Sequence, residues 1–181
     1  MLQNIAKLVQ NVRICYNEIV TKVFPFKATE RGRLRMATVL DVAKYIVDKC
    51  GKIDTWKLQK LVYYSQAWSL VWDEQPLFNS KIEAWPNGPV TPDLFKRHKG
   101  MYTVEPSSPI WDGANYEVLT NDERDTINAV LRDYGSMAGY DLRELTHLED
   151  PWKQARKGVA PMEPCNNEIT QEMMRLYYGS L

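Results

Sequence analysis

Three ionisable side chains in the middle of the sequence could support proton transfer or metal binding. Glu83, Asp93 and His98 lie within one short stretch of the chain. Carboxylates and imidazoles are the groups that exchange protons near neutral pH and that coordinate divalent metals. A hydrolase or a metal-dependent enzyme is therefore one interpretation, and it requires these three side chains to meet at one pocket. In the simpler interpretation, Glu83 accepts hydrogen bonds from backbone N–H groups of the Gly88 to Val90 loop.

A second carboxylate and imidazole, Glu144 and His147, have the i, i+3 spacing that helical di-iron sites use. Those sites need a second copy of the pair and further carboxylates, and the sequence offers a single copy. We therefore expect His147 to serve as a capping or core residue. The sequence also lacks a phosphate-binding glycine loop, a G-x-S-x-G motif and an H-E-x-x-H motif. These observations favour a protein that is not an enzyme and that has no catalytic residues, metal or cofactor.

The three cysteines, Cys15, Cys50 and Cys165, are odd in number, widely spaced and without a C-x-x-C motif. This pattern predicts neither a disulfide framework nor a zinc site. We expect them to be buried thiols.

Composition is typical of a globular protein, with 44% hydrophobic and 25% charged residues in a chain of 181. No apolar run approaches the roughly 20 residues that span a bilayer, and no signal peptide is visible at the N-terminus. We therefore expect a cytoplasmic protein without a membrane partner. The chain is long enough for one domain with an appendage.

Charge divides the chain into two parts. The first 35 residues contain seven Lys and Arg against two Asp and Glu, which leaves 16 basic and 21 acidic residues for the remainder. The acidic body argues against a nucleic acid partner. Residues 1–35 are predicted to form an amphipathic helix followed by a basic linker, and residues 36–181 to form the domain itself. Either a start codon is misassigned upstream of Met36, or the extra helix is genuine and packs on the body or on a partner.

The stretch from Trp56 to Trp72 is predicted to be the central helix. Apolar residues surround it on nearly all sides from Leu61 onward, so other elements should enclose it. Its first turn is polar, and Lys57, Gln59 and Lys60 are expected to face solvent after a cap at Asp54 or Thr55. The predicted fold class is α+β, mainly α, as a single helical domain around a central buried helix with a small antiparallel β element.

Capping and periodicity signals predict the remaining helices. A helix capped by Thr38 should end at Gly51, and Thr91-Pro92 should begin a short one. A Thr120–Glu123 capping box and Asp150-Pro151 should start two more, with a helix around Leu142 and Leu145 between them. Residues Ile169, Met173, Leu176 and Tyr177 are expected to form the buried stripe of the final helix.

The small β element is predicted as a hairpin of Leu77-Phe78 with residues 82–85, turning at Asn79-Ser80. Residues 86–90 then form a tight loop, because prolines fix φ and Gly88 can adopt conformations that other residues avoid. Residues 102–104 are expected to add one more short strand.

Three motifs, in order and at matching spacing, resemble the Panacea domain family. They are KLQKLVYYSQAW at residues 57–68, IEAW leading into GPV at residues 82–90, and LTH with PW and Ala155 at residues 145–155. The resemblance covers Ala37 to Tyr178 and leaves out the first 35 residues. It implies a mostly helical domain with a small β element, often encoded in phages, prophages and toxin–antitoxin pairs. It also implies an antitoxin that binds and neutralises a toxin, or an adaptor that delivers the toxin to a protease.

Aromatic residues are numerous, with six Trp and ten Tyr, and such residues anchor protein interfaces. We expect Trp72, Trp85, Trp111, Tyr102 and Tyr140 to be partly exposed. The strand-and-loop unit from Ile82 to Val90, together with the adjacent part of the central helix, is predicted to be a rigid platform for a partner. Its candidate contact residues are Tyr63, Tyr64, Trp72, Glu83, Trp85, Gly88, Pro89 and Val90.

The sequence therefore predicts an antitoxin-like binding module that neutralises a cognate protein toxin by direct contact. A proteolytic adaptor, with a protease as a second partner, and a transcriptional regulator are alternatives. The enzyme built on Glu83, Asp93 and His98 is the alternative from another functional class.

Overall fold

A computed structural model describes residues 36–181, which form seven α-helices and two small antiparallel β-pairs. The helices are α1 (Val39–Cys50), α2 (Thr55–Trp72), α3 (Pro92–His98), α4 (Asn121–Tyr134), α5 (Gly139–Leu148), α6 (Asp150–Ala155) and α7 (Gln171–Gly179). The strands are β1 (Ile53–Asp54), β2 (Glu83–Trp85), β3 (Gly88–Val90) and β4 (Thr103–Val104). This confirms the predicted mainly α fold with a small β element. The helix and linker predicted for residues 1–35 lie outside the described residues.

Helix α2 is the centre of the fold, and α1, α4, α5 and α7 pack around it. Every residue from Leu58 to Leu70 is buried, which confirms the prediction of an enclosed central helix. The Asp54 carboxylate caps it by accepting a 2.8 Å hydrogen bond from the Lys57 N–H. The expectation that Gln59 and Lys60 face solvent is wrong, since both side chains are almost completely buried.

Two buried glutamines of α2 explain how polar residues fit inside the core. The Gln66 side chain accepts from the N–H groups of Leu77 and Phe78 and donates to the Phe78 carbonyl. The Gln59 carbonyl accepts a 2.9 Å hydrogen bond from the Thr91 N–H. Each amide thus satisfies the backbone of an extended segment, as a neighbouring strand would.

The hairpin lies further along the chain than predicted. Strand β2 pairs with β3 in the register Glu83 to Val90 and Trp85 to Gly88, with the turn at Pro86-Asn87. The predicted partner strand, Leu77-Phe78, does not form, because Gln66 already binds its backbone. Strands β1 and β4 make a second antiparallel pair, Ile53 with Val104, which confirms the short strand expected there.

The predicted helix caps are mostly correct. Thr38 and Thr120 both head capping boxes, and Gly51 ends α1 in a left-handed conformation. The N-cap of α6 is Glu149 rather than Asp150.

Two expectations about burial differ from the structure. Of the predicted stripe of the final helix, Ile169 is buried and Met173 and Tyr177 are half-buried against the core, whereas Leu176 is exposed. The fully buried residues of α7 are Met174 and Tyr178, each one position after a predicted residue. Cys50 is exposed and Cys165 is half-buried, so the expectation that the cysteines are buried is wrong for these two. Cys15 lies outside the described residues.

Candidate functional site

Three side chains fix the β2–β3 hairpin to the helices around it. The Lys60 ammonium donates a 3.0 Å hydrogen bond to the Pro89 carbonyl, and the buried Arg156 guanidinium donates a 2.8 Å bond to the Ala84 carbonyl. The Trp152 indole N–H donates a 3.0 Å bond to the Trp85 carbonyl. Because both strands are bonded to side chains of other elements, the hairpin is a rigid unit.

A hollow of about 250 Å³ opens between this hairpin, the first turn of α2 and helix α3. It is lined by Thr55, Trp56, Gln59, Lys60, Trp85, Pro86, Asn87, Val90, Phe95, His98, Gly100 and Met101. Trp56 is 47% exposed and Met101 is 39% exposed. The neighbouring Tyr102 side chain is 90% exposed. Aromatic and apolar surface therefore surrounds the opening.

Lys60, when protonated, supplies the positive charge of the hollow, and no Asp or Glu is among the described residues that line it. The side chain is 2% exposed. Burial lowers the pKa of Lys60 to about 7, and the nearby positive charge of Arg143 acts in the same direction. Asp54 acts in the opposite direction, but its effect is smaller.

The remaining polar groups of the hollow are neutral. The Nε2 atoms of Gln59 and His98 are 3.0 Å apart. Since the Gln59 amide nitrogen can only donate, His98 Nε2 must accept, which places the imidazole proton on Nδ1. Burial lowers the pKa of His98 and so favours this uncharged form. The Asn87 carbonyl accepts from Arg143 Nε at 3.2 Å, which leaves the Asn87 amide N–H groups as donors.

The structure does not bring together the three side chains of the alternative enzyme interpretation. Glu83 accepts a 2.7 Å hydrogen bond from the Trp85 indole N–H, so the expected bonds from the Gly88 to Val90 backbone are not made by this side chain. Asp93 forms a 3.1 Å ion pair with Lys96. Of the three, only His98 lines the hollow.

The Glu144 and His147 pair also lacks the geometry of a metal site. Glu144 is ion-paired with Arg143, and the His147 ring stacks on Trp152 with the ring centroids 3.9 Å apart. Within residues 36–181, no three His, Cys, Asp or Glu side chains are grouped so that they could hold a metal ion.

Two of the predicted contact residues, Tyr63 and Tyr64, lie inside the core. The Tyr64 and Tyr178 hydroxyls donate to the buried Glu149 carboxyl, at 3.2 and 2.6 Å from Oε2. The Tyr63 hydroxyl is 3.2 Å from that of Tyr178. Burial raises the pKa of Glu149 to about 8. These tyrosines cannot touch a partner in this structure, because α7 covers them, and their role is in the polar centre of the core.

The other predicted contact residues are distributed around the hairpin. Trp85 and Val90 line the hollow, and Gly88 and Pro89 are buried beneath it. Glu83 and Trp72 are half-buried.

The five aromatic residues expected to be partly exposed give a divided result. Trp72 and Trp85 are half-buried, and Tyr102 and Tyr140 are exposed, as predicted. Trp111 is buried, because its indole N–H donates to the Glu105 carbonyl and its ring joins the core.

The sequence reasoning missed three polar residues of the hollow, namely Gln59, Lys60 and Asn87. A signal for Lys60 was present, since it lies one turn before Tyr64 on the same helical stripe as Ala67. A lysine that continues an apolar stripe must either be paired with a polar group or reach solvent.

None of the helices in the described part of the chain has both the length and the apolar character that crossing a membrane requires.

Comparison with known proteins identifies the family. No curated protein and no solved structure matches the chain. The family described as "Antitoxin SocA-like, Panacea domain" matches residues 58–153. This match spans more than half of the 181 residues and includes α2, the hairpin and α5. The protein therefore belongs to the SocA-like antitoxin family that is defined by the Panacea domain.

Proposed function

We propose that this antitoxin-like protein neutralises a cognate protein toxin by direct contact, using the surface around the hollow. The observation that supports this proposal best is a rigid hairpin placed beside exposed aromatic residues. Lys60 and Arg156 donate to the backbones of β3 and β2. The exposed Trp56 lines the hollow beside the hairpin, and the exposed Tyr102 follows Met101, which also lines the hollow. The proposed site of action is the cytoplasm.

A rigid surface suits this task because binding costs free energy whenever flexible groups must be ordered. Tryptophan and tyrosine contribute large contact areas with few rotatable bonds, which makes them frequent anchors at interfaces. Trp56 and Tyr102 lie on adjacent segments, since the Thr55 N–H donates a 3.1 Å hydrogen bond to the Tyr102 carbonyl. The two aromatic side chains can therefore engage one partner together.

Co-expression in a bacterial host tests the proposal. The protein encoded by the neighbouring open reading frame is expressed with and without this chain, and growth is measured. We expect the neighbour to stop growth alone and the chain to restore it. A neighbour that is harmless on its own would contradict the proposal.

Two variants of this chain locate the contact surface. The double variant Trp56→Ala, Tyr102→Ala should restore growth poorly, because it removes both aromatic anchors. Leu176→Ala is the matched control, since Leu176 is exposed on α7, away from the hollow. Full rescue by the double variant would show that the contact lies elsewhere.

The toxin level in the same cells distinguishes direct neutralisation from the adaptor alternative. Under direct contact, growth is restored while the toxin remains at a constant level. Under the adaptor alternative, the toxin disappears, and it reappears when the host protease genes are deleted.

A further inference from the structure

We propose that the hollow receives a carboxylate from an acidic side chain of the protein partner, with Lys60 as the opposing charge. The identity of the partner rests on the proposed function, whereas the preference for a carboxylate follows from the chemistry of the hollow itself.

The first argument is the unbalanced charge of the hollow. A lysine ammonium has three N–H donors, and among the described residues Lys60 donates to one acceptor, the Pro89 carbonyl. Its side chain is buried, and no carboxylate lines the hollow. A buried charge is costly unless it is paired and hydrogen-bonded. An incoming carboxylate supplies both the opposite charge and the acceptors.

The second argument is that the side-chain amide of Asn87, which lines the same hollow as Lys60, is oriented as a further donor. Arg143 Nε binds the Asn87 side-chain carbonyl at 3.2 Å. This contact fixes the amide so that its N–H groups remain available as donors. The guanidinium is ion-paired with Glu144, and its positive charge nevertheless acts on Lys60. Lys60, Asn87 and Arg143 together favour an anion over a neutral or cationic group.

The third argument concerns the volume of the hollow and the residues that form its wall. The hollow has a volume of about 250 Å³, which corresponds to roughly eight water molecules at about 30 Å³ each. That space is suited to one acidic side chain rather than to a large cofactor. Trp85 and Phe95 form one wall, with an edge-to-face contact of 4.8 Å between ring centroids. The wall is apolar and matches the methylene groups that carry a carboxylate.

The surface around the opening favours a protein as the source of the carboxylate. Trp56 and Met101 line the hollow and expose apolar surface, and the exposed Tyr102 follows Met101 in the chain. A small free acid would leave most of that surface uncovered. A docked protein covers it and excludes water, which strengthens the ion pair inside. A partner that covers the apolar surface therefore also strengthens the ion pair between its carboxylate and Lys60.

A pair of small probes tests the chemistry of the hollow in the full chain. The ¹⁵N-labelled protein is titrated with 3-phenylpropionate and with 3-phenylpropionamide, while NMR follows the indole signals of Trp56 and Trp85 and the side-chain amide of Asn87. We expect a saturable shift with the carboxylate and at least tenfold weaker binding of the amide. Equal binding of the two probes would overturn the proposal.

Three variants link the probe signal to charge. Lys60→Met should abolish binding of 3-phenylpropionate, whereas Lys57→Met should leave it unchanged. Lys57 is the matched control because it also donates to a backbone carbonyl, that of Gly135, but does not line the hollow. Met101→Glu, at an exposed position that tolerates substitution, should weaken binding by repulsion and so provides a test that does not depend on the folding of the Lys60 variant.

The growth assay tests whether a protein supplies the carboxylate. Met101→Glu should reduce rescue by at least tenfold, whereas Met101→Lys, of similar length and opposite charge, should retain it. If wild type and both variants rescue equally, the proposed function stands and carboxylate docking is wrong. If wild type does not rescue while the carboxylate probe binds, the proposed function fails and the assignment to a protein partner is overturned.

Discussion

At the scale of single residues, burial shifts two ionisable side chains, Lys60 and Glu149, toward their neutral forms. Lys60 has a pKa lowered to about 7, and Glu149 has a pKa raised to about 8. The cause is the same in both cases, because leaving water disfavours the charged form. Lys60 lies at the edge of the core beside the hollow, whereas Glu149 lies among tyrosines beneath α7.

The pKa of Glu149 predicts how stability depends on pH. The folded protein holds this proton up to about pH 8, whereas the unfolded chain loses it near the ordinary value of 4.5. The folded state thus binds more protons between these values, so its stability falls as pH rises through this range and is fully retained below it. The expected loss is a few kcal/mol, since each pKa unit corresponds to about 1.4 kcal/mol.

Urea unfolding of wild type and Glu149→Gln at several pH values between 5 and 8 checks this prediction. Glutamine retains an acceptor for the Tyr64 and Tyr178 hydroxyls but cannot ionise. Other groups titrate in the same range, including Asp73 with a pKa raised by burial to about 6, and they are common to both proteins. The difference between the two profiles should therefore show a decline that belongs to Glu149. Parallel profiles would contradict the assignment.

Replacement of Trp68 by Ala tests the packing of the central helix. Its ring stacks on Trp72 at 4.7 Å, its indole N–H donates to the Tyr134 hydroxyl at 3.2 Å, and it is 3% exposed. Trp68→Ala should lower the free energy of unfolding by about 3–5 kcal/mol. Trp56→Ala, at an exposed position of the same helix, should change it by about 0.5 kcal/mol or less. Similar losses in the two variants, measured by urea denaturation, would contradict an enclosed Trp68.

The polar residues of the candidate site show where prediction from sequence stops. The residue types and the aromatic content indicate a binding protein, and Trp85 and Val90, two of the predicted contact residues, line the hollow. Gln59 and Lys60 were assigned to solvent because the first turn of α2 reads as polar. Their burial depends on the Thr91 and Pro89 backbones, which lie 32 and 29 residues further along the chain. Local periodicity contains no information on such partners.

At the scale of elements, the helices could be predicted well because their signals are local. The Thr38 and Thr120 capping boxes and the Gly51 terminus each depend on residues within one turn. The hairpin was misplaced because Leu77-Phe78 has the composition of a strand but pairs with the Gln66 side chain. Short strands without tertiary partners are weakly specified, so the choice between two adjacent candidates depends on contacts that only the fold supplies.

Gly88 provides a test of the hairpin as an element. It has a φ of +96°, and a Cβ atom at this position would lie 2.6 Å from Lys60 Cε and 2.8 Å from Thr146 Oγ1. Gly88→Ala therefore adds a collision to the backbone strain. Gly113 has a φ of +79° with nothing within 4 Å of the added atom, so Gly113→Ala introduces strain alone. Gly113→Ala should cost about 1–2 kcal/mol, and Gly88→Ala should cost more.

Thermal or urea unfolding of both glycine variants measures this difference. The larger loss in Gly88→Ala should be accompanied by a change in the indole signal of Trp85, because Trp85 pairs with Gly88 in the hairpin. Equal losses in the two variants would show that Lys60 and Thr146 move aside without cost.

At the scale of the whole molecule, residues 36–181 share one hydrophobic core that runs from Ala37 in front of α1 to Tyr178 in α7. Helix α2 contacts elements from both halves of the described chain, so no smaller part contains a complete core.

A fragment of residues 36–181 tests the predicted domain boundary at residue 36. We expect it to unfold in one cooperative transition with a midpoint within a few degrees of the full chain, since it contains every residue of the described core. Calorimetry of the two proteins makes the comparison. A fragment that is unfolded, or a large drop in the midpoint, would show that residues 1–35 contribute to the core.

The contact between Tyr178 and Glu149 also bears on synthesis of the protein. While the nascent chain is on the ribosome, Glu149 and Tyr64 lack this partner until translation passes residue 178, so the core closes only near the end of elongation. A copy that ends before Tyr178 lacks the hydroxyl that donates to Glu149. We therefore expect such copies to open more readily and to be degraded faster than full-length copies.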